Sequence, residues 1–341
     1  MQPQSTDTRS KALVDPFGRT ITYLRLSVTD RCDLRCTYCM PERMKFLPRA
    51  DLLTLEELER LVRAFMRRGV KKLRLTGGEP LLRKDVSALI SRLGKDVYSG
   101  ALEEMTVTTN GAQLAKYASA LADAGVKRIN VSLDTLDPKK FEQVTRRAVL
   151  HDVLTGIETA QRYGISIKLN VVALKDLNEK EIPSIILWAH QRGIDVSLIE
   201  IMPMGEIDAN RLEQYLPLSS VKDRLEKDWT LTPLAYRTGG PSRYVKVEET
   251  SGRIGFITPL TQNFCDGCNR VRLTCTGRLY MCLGQDDAFD FRTLMRNGAS
   301  DNDIDDAILA AISHKPKGHD FTITRECSSP SVSRQMSVTG G

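Results

Sequence analysis

The sequence predicts an α/β fold: a partial (β/α)6 barrel of the TIM type, followed by a smaller C-terminal α+β extension that carries a second set of cysteines. Three observations lead there. A helix-like segment that ends in Gly and hands over to a β-branched residue opening a short strand recurs in "RRGVKKLRLTGG" (67–78), "DAGVKRINVSLD" (123–134), "RYGISIKLNVV" (162–172) and "QRGIDVSLIEIM" (191–202). Two further strand-like runs, "TITYLRLSV" (20–28) and "EMTVTTN" (104–110), complete a set of six strands separated by helices, an alternation that implies a parallel sheet. The uncommon polar residues follow the strands, in "SVTDRCDLRC", "LTGGEP", "TTNG", "VSLD", "KLN" and "EIMPMG", where a barrel places its chemistry. A flat doubly wound sheet is the architectural alternative.

In chain order, residues 1–17 are polar, lack the apolar core of a secretion signal and read as a flexible N-terminal arm. Residues 18–204 form the barrel. Within them "LTLEELERLVRAFMRR" places Leu55, Leu58, Leu61, Val62 and Phe65 on one helical face, with Thr54 and Glu57 spaced as a capping box. Gly69, Gly125, Gly164 and Gly193 suit the left-handed residue that closes a helix. The segment 93–105 is longer than a minimal connection. Past residue 205 the rhythm changes: "LTPLAYR", "SRYVKVEE" and "RIGFITP" read as short antiparallel strands, and 288–297 and 302–313 as helices. Residues 205–330 make up the extension, and 331–341 a tail ending in Gly-Gly.

The net charge of +6 comes without any block of five or six like charges, so a nucleic-acid-binding arm is not expected. No apolar run approaches the ~20 residues of a membrane helix. A cytoplasmic protein with an anionic small-molecule ligand fits this balance.

The cysteines fall into two constellations. Cys32, Cys36 and Cys39 form C-x3-C-x2-C just after a strand. Three thiolates on a short loop can hold an iron–sulfur cluster with one iron left open; zinc with a remote fourth ligand, and redox thiols, stay open on spacing alone. Cys265, Cys268 and Cys282 form the second set, with Cys275 between them. Either all four make a zinc knuckle, or "VRLTCTGRLYMC" is a hairpin turning at Thr276-Gly277 that returns Cys282 to Cys265 and Cys268, leaving Cys275 and Cys327 as packing residues. Arg270, Arg272 and Cys268 are in phase on one strand face. Arg25, Arg74 and Lys168 sit inside barrel-like strands, where a merely solvated role is a poor explanation, and Thr108 offers a hydroxyl. Guanidinium forks suit phosphate oxygens.

The first triad, with Tyr38 before its last cysteine, and "LTGGEP" at 75–80 resemble the radical SAM superfamily. "FCDGCNRVRL", Cys282 and the final Gly340-Gly341 narrow the resemblance, from about residue 17 onward, to the GTP cyclases that open molybdenum cofactor biosynthesis. The resemblance implies two [4Fe–4S] clusters, one on Cys32, Cys36 and Cys39 and one on Cys265, Cys268 and Cys282. It places S-adenosylmethionine against Tyr38, Gly78, Ser132 and Met202, and GTP against Arg25, Arg74, Thr108, Lys168, Arg270 and Arg272. Arg25, Arg270, Arg272, Gly340 and Gly341 take catalytic roles, with the glycine tail reaching into the site. The implied reaction removes the ribose 3′ hydrogen of GTP with a 5′-deoxyadenosyl radical and joins C3′ to guanine C8. A flavodoxin or ferredoxin as electron donor and cyclic pyranopterin monophosphate synthase as the next enzyme are the implied partners, and a homodimer is compatible with the family. Cys275 stands where that family requires no cysteine. The competing readings are another two-cluster enzyme of the twitch or SPASM type and a zinc-stabilised nucleotide-binding module.

Overall fold

The computed structural model describes residues 12–262, 264–322 and 330–340. Strands and helices alternate as β1 (Tyr23–Ser27), α1 (Leu55–Arg67), β2 (Lys72–Thr76), α2 (Val86–Tyr98), β3 (Glu104–Thr109), α3 (Leu114–Asp123), β4 (Arg128–Ser132), α4 (Pro138–Thr145), α5 (Leu150–Arg162), β5 (Ser166–Val172), α6 (Ile182–His190) and β6 (Asp195–Ile199). Then come α7 (Arg211–Gln214), α8 (Leu218–Leu225), β7 (Leu231–Leu234), β8 (Arg243–Val247), β9 (Arg253–Ile257), β10 (Arg270–Leu273), β11 (Arg278–Tyr280), β12 (Ala288–Asp290), α9 (Phe291–Arg296), α10 (Asp301–Ile312) and α11 (Met336–Thr339).

The local signals read from the sequence form as expected. The Thr54 side chain accepts from the Glu57 amide while Glu57 returns the bond, and α1 buries Leu55, Leu58, Leu61, Val62 and Phe65. Gly69, Gly125, Gly164 and Gly193 all take positive φ, which closes each preceding helix without a Cβ penalty. The extra length at 93–105 is the last turns of α2, which Gly94 allows to approach Ala124: a Cβ there would stand 2.8 Å from the Ala124 Cα.

All twelve strands belong to one sheet in the order β12-β11-β10-β1-β2-β3-β4-β5-β6-β9-β8-β7. Its two edge strands do not pair, so the sheet is open. β1 to β6 are mutually parallel, as predicted. The C-terminal strands do not stand apart from them: β10 pairs in parallel with β1, and β9 in parallel with β6. Antiparallel pairing joins β10 to β11, β11 to β12, β9 to β8 and β8 to β7. The reason is visible in β10: its residues Val271 and Leu273 continue the apolar face of β1 in register with Leu24 and Leu26. Residues 288–290 pair with β11 rather than opening a helix, and α9 starts only after Asp290 caps it.

The expected loose arm is packed where it is described. Leu13 is fully buried, and Asp15 accepts from Arg19 Nε at 2.6 Å; residues 1–11 lie outside the described residues. Among the described residues no helix is long and apolar enough to cross a membrane.

Candidate functional site

A parallel sheet covered by helices ordinarily carries apolar residues on both faces. Here one face is the core, with Leu24, Leu26, Leu75, Val107, Val131 and Leu169 buried. The other is polar across the register. Arg25 lies between Arg272 of β10 and Arg74 of β2, Arg74 faces Thr106 of β3, and Thr108 faces Asn130 of β4, which faces Lys168 of β5. Arg25, Arg74, Lys168, Arg270 and Arg272 are each only 5–7% exposed.

Carboxylates on this face are engaged at its rim, Glu104 with Arg128 at 2.7 Å and Asp195 with Arg253 at 2.9 Å. Among the described residues none forms an ion pair with Arg74, Lys168, Arg270 or Arg272. Arg270 Nε, Arg272 Nε, Thr108 Oγ1 and Asn130 Nδ2 are buried without a hydrogen-bond partner. The proton affinities register the crowding: burial, then Arg270, brings Arg272 down to about 10, and burial, then Arg74 and Arg272, holds Arg25 well below the ordinary guanidinium range. Burial lowers Lys168 to about 8 although Tyr244 Oη accepts from its Nζ at 3.1 Å. Buried cations with unused donors are costly, and a bound anion relieves that cost.

The first triad follows the carboxyl end of β1. Cys32, Cys36 and Cys39 line a cavity of ≈170 Å³ together with Tyr38, Gly78, Thr108, Ser132 and Met202, so all four residues expected around S-adenosylmethionine share one enclosure with these thiols and with a GTP candidate. Gly78 packs so tightly that a Cβ would stand 2.6 Å from the Asp30 carbonyl oxygen. Burial raises Cys32 and Cys36 far above the usual thiol range and Cys39 to about 11. As bare thiols all three therefore keep their protons, and thiolates require a metal centre to replace them. The charges around them are mixed: Glu79 and Asp33 act on Cys32, Asp134 on Cys36, and Arg211 ahead of Asp134 on Cys39. Glu79, pushed up to about 7 by burial, accepts from the Asn110 amide at 2.7 Å, the Leu81 amide at 3.0 Å and Thr109 Oγ1 at 2.8 Å. Asn110 Nδ2 in turn donates to Asp33 at 2.7 Å, and Tyr38 Oη to Asp134 at 2.7 Å.

The second triad lies at the opposite end of the same strands. Cys265 and Cys268 precede β10, whose first residue is in register with Tyr23 at the start of β1. The β10–β11 hairpin is antiparallel and turns through Gly277 at φ 81°, so Cys282 returns beside them. Gly318 bridges the pair: its Cβ position would lie 3.5 Å from Cys265 Sγ, and its carbonyl is 3.8 Å from Cys282 Sγ. The surroundings here are basic. Burial pushes Cys268 up, but Lys315, Arg270 and Arg272 outweigh it and bring the thiol down to about 7. Cys275 is fully buried near Ser27, Asp30 and Arg83 at the other end of β10, away from these thiols. Among the described residues no three Cys, His or carboxylate side chains are gathered as ligands of one metal ion would be.

The tail occupies the first end. Met336 and Ser337 of α11 line the first cavity, the Ser337 amide hydrogen-bonds toward Cys39, and Gly340 abuts Thr76 with φ 75°. Arg334 tethers the tail through Asp286 at 2.7 Å and the Tyr280 ring at 4.1 Å. Gly341 and Cys327 lie outside the described residues. Glu79, Asn110 and Asp134 stood inside strand-end motifs already singled out, Glu79 directly after Gly78 and Asp134 two residues after Ser132. Tyr244 and Lys315 lie in segments with no local signal.

Two regions of the chain match known families. Residues 26–189 match the radical SAM superfamily and residues 194–321 match Molybdenum Cofactor Synthesis C. The chain is 61% identical over 341 residues to the GTP 3′,8-cyclase of Brucella canis (strain ATCC 23365 / NCTC 10854 / RM-666), covering 100% of this chain and 99% of that one. It is 62% identical over 335 residues to the GTP 3′,8-cyclase of Rhizobium meliloti (strain 1021), covering 98% and 96%. Among solved structures, Streptococcus suis SuiB bound to S-adenosylmethionine matches 94% of this chain and 78% of its own with a TM-score of 0.60 at 16% identity, a likeness of fold.

Proposed function

The chain belongs to the radical SAM superfamily and, within it, to the GTP 3′,8-cyclase family, and from that premise we propose that it converts GTP to (8S)-3′,8-cyclo-7,8-dihydroguanosine 5′-triphosphate at the start of molybdenum cofactor synthesis. The observation that carries the reading is the polar sheet face with five buried cations running from one cysteine triad to the other. A peptide substrate would leave Arg74, Lys168, Arg270 and Arg272 without counter-ions.

Residues 18–204 are read as the radical-generating partial barrel, residues 205–330 as the extension carrying the second site, and 331–341 as its tail. Cys32, Cys36 and Cys39 would hold a [4Fe–4S] cluster, with S-adenosylmethionine beside Tyr38, Gly78, Ser132 and Met202. The donor set fits: three thiols that line one cavity suit an iron–sulfur centre. Bound there, cluster and sulfonium supply a carbon radical able to take an unactivated ribose hydrogen. Cys265, Cys268 and Cys282 would hold the second cluster and the guanine end of the substrate.

The chain's own residues then do three things. Arg25, Arg74, Arg270, Arg272 and Lys168 neutralise the triphosphate, with Thr108 and Asn130 offering the remaining polar atoms. Holding both ends of GTP aims its ribose at the first cavity; positioning of this kind is worth about 7–11 kcal/mol of barrier. The tail, with Met336 and Ser337 in the cavity wall, keeps water from the radical's path. A flavodoxin or ferredoxin would supply electrons, and cyclic pyranopterin monophosphate synthase would take the product.

The test is an anaerobic assay of reconstituted protein with S-adenosylmethionine, GTP and dithionite. The expected products are 5′-deoxyadenosine and a cyclised nucleotide that hydrolyses to a pterin chromophore. Zinc without acid-labile sulfide in the same preparation would instead select a zinc-stabilised nucleotide-binding module.

A further inference from the structure

Lys315 presents a problem that the reaction as described does not solve. It is 2% exposed, and taking an ammonium out of water costs several kcal/mol unless other groups compensate. Among the described residues it forms no ion pair with a carboxylate. Its Nζ donates to the Met281 carbonyl at 2.6 Å and to Cys268 Sγ at 3.5 Å. Arg19, whose Nη1 donates to the Cys265 carbonyl at 2.7 Å, adds like charge nearby. A role in ending α10 does not account for the side chain: the Lys315 amide already serves the Ile312 carbonyl at 3.0 Å, while Nζ reaches away to the hairpin.

The placement has a second consequence. Cys268 lies just before β10 and Met281 just before Cys282, so one ammonium ties together the two chain segments that bring these thiols to the same end of the sheet. At the first triad carboxylates stand beside the cysteine loop instead: Tyr38 Oη donates to Asp134 and Asn110 Nδ2 to Asp33, each at 2.7 Å. A hydrogen bond from a cation withdraws electron density from a ligating sulfur and raises the reduction potential of its centre, whereas acidic neighbours lower it.

We propose that Lys315 is the positioning residue of the second cysteine site: its ammonium clamps Cys268 against the Met281 carbonyl and makes the iron–sulfur centre held there easier to reduce than the same thiols would make it alone. The assignment rests on the two-cluster reading above. It gives the two ends of the sheet different electron affinities, with buried Lys315 at one and buried Glu79 and Asp134 at the other.

The experiment isolates the second site in full-length protein carrying Cys32→Ser, Cys36→Ser and Cys39→Ser, reconstituted anaerobically and titrated with dithionite while its electron paramagnetic resonance is followed. In this background Lys315→Met is expected to move the midpoint potential to more negative values and to cut bound iron by at least half, with Lys315→Arg restoring both. Should the methionine variant not fold, Lys315→Gln keeps a donor for Met281 without the charge, and the same negative shift is expected of it. A shift in potential at unchanged iron content also supports the proposal, because loosened packing alone does not move a potential in one direction. Wild-type potential and full iron in a folded, uncharged Lys315 variant would overturn it. If the triple-serine protein folds with Lys315 intact yet binds no cluster, the two-cluster reading itself falls, and the inference with it.

Discussion

Arg25 and Arg272 stand directly opposite each other on the adjacent parallel strands β1 and β10, and Arg74 flanks Arg25 on its other side. Like charges in this position oppose folding and favour a bound polyanion. Arg272→Met removes one of them. Its proton affinity, lowered to about 10 by burial and then by Arg270, shows that the fold tolerates rather than favours this charge. The free variant is therefore expected to melt at or above the wild-type temperature, while GTP affinity falls roughly 10–100-fold, the scale of one charge-assisted contact. Melting curves with and without GTP check both signs. A variant less stable when free but unchanged in GTP affinity would assign Arg272 to the framework.

Lys168 sets a pH limit on substrate binding. Burial brings its ammonium down to about 8, and Tyr244 holds it there by accepting from Nζ at 3.1 Å. A lysine whose folded proton affinity is depressed destabilises the fold below that pH, and the penalty is relieved as pH rises from about 8 toward 10.5. Binding has the opposite sign, because the charge is what the phosphate needs. GTP affinity measured by calorimetry is expected to be level up to pH 7 and to weaken by roughly threefold to tenfold by pH 9. Tyr244→Phe removes the support and should move the break to lower pH. A profile that stays level to pH 9 would show that Lys168 does not meet the substrate.

The bond from Tyr38 Oη to Asp134 at 2.7 Å fixes the cysteine loop against the end of β4. Burial raises Asp134 to about 6 despite the Tyr38 and Val172 donors. A carboxyl raised in the fold contributes stability below its unfolded value, and the contribution is lost as pH rises through about 6. Tyr38→Phe leaves the ionised form short of a donor, at a cost of about 1–3 kcal/mol. The melting difference between variant and wild type should widen from pH 5 to pH 8, with loss of iron from the first site. A constant difference would mean that only packing was lost.

The six strands, the capping box and the helix-closing glycines were legible because each is a local rule: periodicity, a side chain three residues from its cap, a residue with positive φ. The cysteine groups were legible for the same reason. The parallel pairing of β9 with β6 and β10 with β1 was not, because nothing in "RIGFI" or "RVRL" states its partner; the choice is made by matching apolar faces far apart in sequence, Leu26 with Leu273 and Leu198 with Phe256. Leu13 was missed because a single leucine in a polar segment has no period to betray its burial. Lys315 and Tyr244 gain meaning only once the hairpin and β8 are folded beside their partners.

Cys275 and Cys282 lie seven residues apart, at opposite ends of one hairpin. Cys282→Ser is expected to remove the second site's iron, spare the first and abolish cyclisation. Cys275→Ser places a hydroxyl where the thiol is fully buried, so a loss of about 1–3 kcal/mol in stability is expected with iron content unchanged. Iron and sulfide analysis separates the two. Loss of iron on replacing Cys275 would reassign the ligands.

Gly340 is the point where the tail tolerates no side chain. It combines φ 75° with an approach to Thr76 so close that a Cβ would stand 2.8 Å from the Thr76 Cβ, with the methyl and hydroxyl nearer still. Thr76 ends β2 beside the glycines of the first cavity, so the contact seats α11 with Met336 and Ser337 in the cavity wall. Gly340→Ala adds the left-handed penalty of roughly 1 kcal/mol to a collision with a strand that cannot retreat. The last turn should lift away while Arg334, bonded to Asp286 and stacked on Tyr280, keeps the upstream tail in place. Expected are unchanged melting temperature and iron content, faster carboxypeptidase removal of the final residues, and at least a tenfold loss of cyclised product. If S-adenosylmethionine is still cleaved at the wild-type rate, the tail guides the radical to GTP rather than helping to form it. Full product with a protected tail would show that the chain's end is not part of the site.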